Sequence, residues 1–153
     1  EMKRMMWLLA ALSMVLLMRL PGQSADVAEL EPVETVLVCR RGSDICITTD
    51  TGATGTGENL PLAVEDLNRH ASGRIFLDTA DYLLVEGEDI SWEELYPVFR
   101  PGCWVCRASG VEDLEAAGAF LKIHPPSNTL LQLCAEERQA EYLLQKKEGL
   151  ELV

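Results

Sequence analysis

The chain has 153 residues, 48% of them apolar, and its 25 acidic against 13 basic side chains give a net charge of −12. That length has room for one domain. A surface this acidic repels phosphate backbones and anionic headgroups, which argues against nucleic-acid binding, and no D-x-D-x-D-G loop turns the acidity toward calcium.

Lys3 and Arg4 precede an apolar run at residues 5–18, broken only by Ser13 and closed by Arg19 and the Pro21-Gly22 turn. Basic, then apolar, then small is the order of a signal peptide, and the run is short of the roughly 20 residues that span a bilayer. Gly22-Gln23-Ser24 offers a small-x-small cleavage site. The alternative is a retained anchor lengthened by Arg19 reaching back to the interface. Residues 1–24 are therefore expected to be a signal peptide or an N-terminal membrane anchor, 25–32 an acidic linker, and 33–153 one domain. Either way the domain is extracytoplasmic, and it touches a membrane only through residues 5–18 if these are kept.

Export makes disulfides admissible for the five cysteines, Cys39, Cys46, Cys103, Cys106 and Cys134. Residues 33–40 and 45–49 are rich in β-branched side chains, and Gly42-Ser43 suits a two-residue II′ turn. Centring the hairpin there pairs Arg41 with Asp44, Cys39 with Cys46 and Val38 with Ile47. Val36, Val38, Ile45 and Ile47 then share a core face, while Leu37, Cys39, Cys46 and Thr48 share the other. The two cysteines are either a cross-strand disulfide or a pair of half-buried free thiols; the hydrogen-bonded pairing places their Cα atoms at the wider spacing.

Residues 51–60 form a glycine-rich connector into a helix at 60–71. It lacks the Lys-Ser/Thr of a P-loop, and Glu58 would oppose an anion, so no nucleotide site is expected. Leu60, Ala63, Val64 and Leu67 stripe the helix, with Pro61 in its first turn. Strands follow at 74–77 and 82–85, the second an unbroken apolar Tyr-Leu-Leu-Val suited to burial on both faces. Ser91 and Glu94 make a capping box for a short helix carrying Trp92, Leu95, Tyr96 and Phe99.

Cys103-Trp-Val-Cys106 has the spacing of a thiol–disulfide motif, but such a site needs its first cysteine at a helix N-terminus. Here Pro101-Gly102 leads into a strand at 103–108, where positions three apart face opposite sides. A helix from Val111 or Glu112 follows, with Leu114, Ala117 and Leu121 on one face. The last region, opened by Ser127 or Asn128 and ended by Gly149, is expected to be helical, burying Leu130, Leu133, Cys134, Leu143 and Leu144. The fold class is thus mixed α/β (α+β): a single domain whose mixed sheet has an antiparallel N-terminal hairpin, helices packed against it and a C-terminal helical region.

His70 and His124 lie far from the cysteines and serve no nucleophile motif, and acid pairs such as Asp78/Asp81 and Glu93/Glu94 suit solvated surfaces. No catalytic residue, cofactor or metal ligand is expected, and the domain is read as non-enzymatic.

Three segments, GTGENLPLAVEDL (55–67), GRIFLDTADYLLV (73–85) and LYPVFR (95–100), together with the strand-plus-helix of residues 104–121, resemble the N-terminal domain of the spore-germination receptor C-subunit lipoproteins, the Ger(x)C family. That family similarly has a glycine-bearing turn into a helix, a strand pair ending in an apolar run, and a short helix finished by an arginine. No cysteine precedes Cys39 to match the family's lipid-carrying residue. The resemblance implies a non-catalytic envelope protein of sporulation or germination type, working through protein partners as an assembly or interaction module. It carries over no functional residues. The alternative is an extracytoplasmic thiol–disulfide protein using Cys103 and Cys106.

Overall fold

The computed structural model describes residues 30–136 and 138–153. The reading of residues 1–24 as a signal peptide or anchor lies outside them. The strands are β1 (Leu30–Pro32), β2 (Thr35–Arg41), β3 (Asp44–Thr49), β4 (Thr54–Gly57), β5 (Arg74–Phe76), β6 (Tyr82–Glu86), β7 (Trp104–Ser109), β8 (Tyr142–Lys146) and β9 (Gly149–Leu152). The helices are α1 (Leu60–His70), α2 (Trp92–Leu95), α3 (Leu114–Ile123) and α4 (Leu130–Glu136), with a 3-10 turn at Leu77–Thr79.

Seven strands form one mixed sheet in the order β4-β3-β2-β6-β7-β8-β9. Its centre, β2-β6-β7-β8, is parallel, and antiparallel neighbours flank it on both sides. Parallel strands need coverage on both faces, because the helices that connect them pack there. One face carries α1, α2 and α4 over Val36, Val38, Ile45, Ile47, Leu83, Val85 and Val105. The other carries α3 over Leu37, Leu84, Cys106, Ala108 and Leu143. The mixed α+β class expected from the element order is the observed one.

Local chemistry accounts for most of the boundaries. The β2-β3 hairpin has the expected register, and Gly42 takes φ of +65°, the positive value its turn demands. Asn59 caps α1 by accepting from the Leu62 amide at 3.0 Å, and Ser91 and Glu94 make the capping box of α2. Asp113 caps α3 by accepting from the Ala116 amide at 2.9 Å. α3 runs back across the sheet to the start of β2, where Gly118 packs against Thr35 and Lys122 Nζ meets Glu34 Oε1 at 2.7 Å.

Three expectations need correction. The linker assigned to 25–32 ends in structure: Leu30–Pro32 is β1, paired in parallel with β5 in a separate two-stranded sheet. The connector after Asp50 contains β4, which pairs with β3. The helical C-terminal region holds only for α4, since residues 142–152 form the β8-β9 hairpin. The cause is an open sheet edge: the second half of β7 offers unpaired backbone groups, which β8 takes up in parallel register. The first half of β7 is met instead by Asn128–Leu130, whose backbone exchanges hydrogen bonds with Val105 and Cys103.

Candidate functional site

The parallel strands β6 and β7 both end on the side where open α/β sheets place their binding crevices. Beyond Glu86 the chain turns at Gly87 (φ +93°), passes Glu88 and Asp89, buries Ile90 and enters α2 at the Ser91 cap. Arg107, on β7, reaches into this turn. Its Nη1 donates to the Gly87 carbonyl at 2.6 Å and to the Ile90 carbonyl at 3.2 Å, and Nη2 donates to Ile90 at 3.3 Å. The guanidinium carbon also lies 4.0 Å from the Trp92 ring centroid, a cation–π stack. Burial pulls the Arg107 pKa below its usual value, opposed by Tyr142, Glu88 and Asp89.

Around this group opens a cleft of about 430 Å³, walled by Glu88, Trp92, Arg107, Arg138, Ala140 and Tyr142 among others. Tyr142 Oη donates to Glu88 Oε1 at 2.8 Å, and that bond raises the phenol above its ordinary range. The opposite wall is held by Asn128, a buried polar residue whose amide donates to the Gln139 carbonyl at 3.2 Å and whose Oδ1 accepts from Arg138 at 3.5 Å. Arg107 has five N–H donors in a planar fork, and its two carbonyl partners leave some of them for a further acceptor. Chemically the cleft sets the Arg107 and Arg138 guanidinium groups beside the Glu88 carboxylate, with Trp92 and Tyr142 in the same wall. None of these residues was singled out from the sequence as part of a site; Trp92 was read as a core-facing helix position and Asn128 as one of two candidate helix caps. The available signal was Arg107 itself, a charge among the buried positions Val105, Cys106 and Ala108, which must find partners to be tolerated there.

The cysteines are arranged differently. All five are free. Cys39 and Cys46 stand directly opposite one another on β2 and β3, and both are buried, where half-burial was expected. Burial chiefly, and Cys46 next, raises the Cys39 pKa, while the Arg41 side chain opposes the shift. Cys103 lies in the core under α1, α2 and α4, whereas Cys106 lies in the core under α3. Their sulfurs are separated by the sheet, and neither occupies a helix N-terminus. Burial pushes both thiols up to about 12. Cys134 is half-buried on α4.

Those two thiols make a pH prediction. Their folded pKa values exceed the ordinary 9.0, so folding favours the protonated form. The resulting stability is present in full below about pH 9 and is lost as pH climbs from 9 toward 12. Urea midpoints for wild type and a Cys103→Ala/Cys106→Ala variant, compared at pH 7, 9 and 10.5, should diverge less steeply with pH in the variant. Parallel profiles would show that these thiols do not contribute to the alkaline loss.

His70 and His124 are exposed; His70 Nδ1 lies 3.2 Å from Asp66 Oδ1, and His124 packs beside Phe120. Among the described residues no group of three or more His, Cys, Asp or Glu side chains is placed to hold a metal ion. Nor is any described helix long and apolar enough to cross a membrane. The chain matches no family model, no curated protein and no solved structure.

Proposed function

We propose that the protein is a non-enzymatic component of the cell envelope, exported by its N-terminal segment and acting through protein contacts as an assembly or interaction module of sporulation or germination type. The observation that carries the export is the basic-then-apolar order of residues 3–18. The cleft supports the mode of action, because Arg, Trp and Tyr are the side chains that contribute most at protein interfaces. The process rests on the resemblance of residues 55–67, 73–85 and 95–100 to the germination-receptor C subunits. The thiol–disulfide alternative gains no support from Cys103 and Cys106, which face opposite sides of the sheet.

Fusing residues 1–29 to a reporter enzyme that needs disulfides, and is therefore active only outside a reducing cytoplasm, tests the export. Activity in intact cells is the expected result. An expressed but inactive fusion would overturn it. In an endospore-forming host that carries the gene, deletion should alter sporulation or germination and spare vegetative growth; the reverse pattern would overturn the assignment to that process.

A further inference from the structure

The hairpin register sets two thiols face to face. Cys39 and Cys46 are Cα partners on adjacent antiparallel strands, 4% and 6% exposed, and both are free. Counting from the two-residue turn closed by Arg41 and Asp44, theirs is a hydrogen-bonded pair, for which the Cα separation is about 5.5 Å. That lies inside the 4.4–6.8 Å range over which a disulfide closes.

Neither Cys39 nor Cys46 has another cysteine within reach. Cys106 shares the α3 face of the sheet but sits on β7, separated from β2 by β6, or about 10 Å across the strands. Cys103 and Cys134 belong to the core on the opposite face.

We propose that Cys39 and Cys46 are a redox pair that closes into a reversible cross-strand disulfide by exchange with a low-molecular-weight or protein disulfide. One thiolate attacks a sulfur of the external disulfide, forming a mixed disulfide and expelling one thiol. The second cysteine, after losing its proton, then displaces the other external thiol. The two cysteines lose two electrons and two protons in all, and the external disulfide is reduced to two thiols. Cβ atoms of hydrogen-bonded pairs stand about 5.5 Å apart, against about 3.8 Å in a relaxed disulfide. Closure therefore draws β2 and β3 together against their spacing, and the bond it makes is one that external thiols reopen. The Arg41 guanidinium beside Cys39 favours the attacking thiolate, and burial opposes it, so exchange should be slow at neutral pH and quicken in mild alkali.

The test uses the full chain, reduced and then exposed under native conditions to oxidised glutathione. Thiols are counted in denaturant, and tryptic peptides are mapped without reductant. Cleavage after Arg40 and Arg41 separates the two cysteines, so their bond would appear as a linked peptide pair. The expected result is a loss of two thiols from five, a Cys39–Cys46 link, and return to five with dithiothreitol. Five thiols unchanged, lasting glutathione adducts on Cys39 or Cys46, or a link to Cys103, Cys106 or Cys134 would overturn the proposal. A Cys39→Ser chain should form no internal link, and one that still lost two thiols to such a link would overturn it equally. The chemistry does not depend on export, so this experiment and the reporter fusion can fail separately.

Discussion

Replacing Gly55 by alanine should cost the protein about 3 kcal/mol or more, a large share of the stability of a domain this size. A Cβ at that position would lie 2.4 Å from both the Ala63 carbonyl oxygen and the Leu67 amide nitrogen of α1. Both are backbone atoms, so no rotamer change can relieve the clash; α1 has to lift off β4. Gly57 makes the same demand further along, with the Ala63 amide nitrogen 2.5 Å from its would-be Cβ. The pair of glycines thus lets a helix backbone lie almost directly on a strand, and Leu60, Ala63 and Leu67 are buried as a result. Gly42→Ala is the control, since nothing stands within 4 Å of its Cβ position and only its φ of +65° is unfavourable, worth about 1 kcal/mol. Urea unfolding of the two variants should rank Gly55→Ala well below Gly42→Ala. Equal midpoints would mean that α1 does not pack on β4 as described.

The same glycines show where sequence reasoning stops. The β2-β3 hairpin was legible to the level of individual residue pairs, because β-branched strands and a Gly-Ser turn act locally and a one-residue slip would invert both faces. The Ser91–Glu94 capping box and the Tyr82–Val85 run were legible for the same reason. Thr54–Gly57 was not: two glycines in four residues suggest a loop, and only the approach of α1 makes them a strand. The C-terminal hairpin was hidden by composition. Residues 138–152 are rich in Glu, Gln, Leu and Lys, all good helix formers, yet pairing with β7 outweighs that preference. A period-two hint was present in Leu150 and Leu152, which lie on the α3 side with Leu143.

The two kinds of candidate site were unequally legible for a related reason. Cysteines announce themselves by residue type, and a register argument suffices to pair Cys39 with Cys46 and to separate Cys103 from Cys106. The Arg107 cleft is assembled from three separate stretches of chain, the β6-α2 turn with Trp92, β7, and residues 138–142 at the start of β8. Its geometry depends on β8 being a strand, so mistaking residues 142–146 for helix concealed Tyr142 as a partner of Glu88.

Leu83 and Leu84 carry the other large expected effect. They are consecutive on β6, both wholly buried, and they point to opposite faces: Leu83 into the core under α1, α2 and α4, and Leu84 into the core under α3. Leu83→Ala and Leu84→Ala should each cost about 3 kcal/mol, the transfer loss plus the cavity left behind. An ordinary antiparallel strand with one wet face would show one large and one small value, so two large values are the signature of a strand covered on both sides. Leu62→Ala, at the edge of the α1–β4 contact and 44% exposed, keeps the Cβ that faces Gly57 and should stay within about 0.5 kcal/mol of wild type. The milder pair Leu83→Val and Leu84→Val allows a stricter test. Although adjacent in sequence, the two side chains occupy separate cores, so their costs should add to within about 0.5 kcal/mol. A coupling well above that would mean that the sheet does not insulate one face from the other.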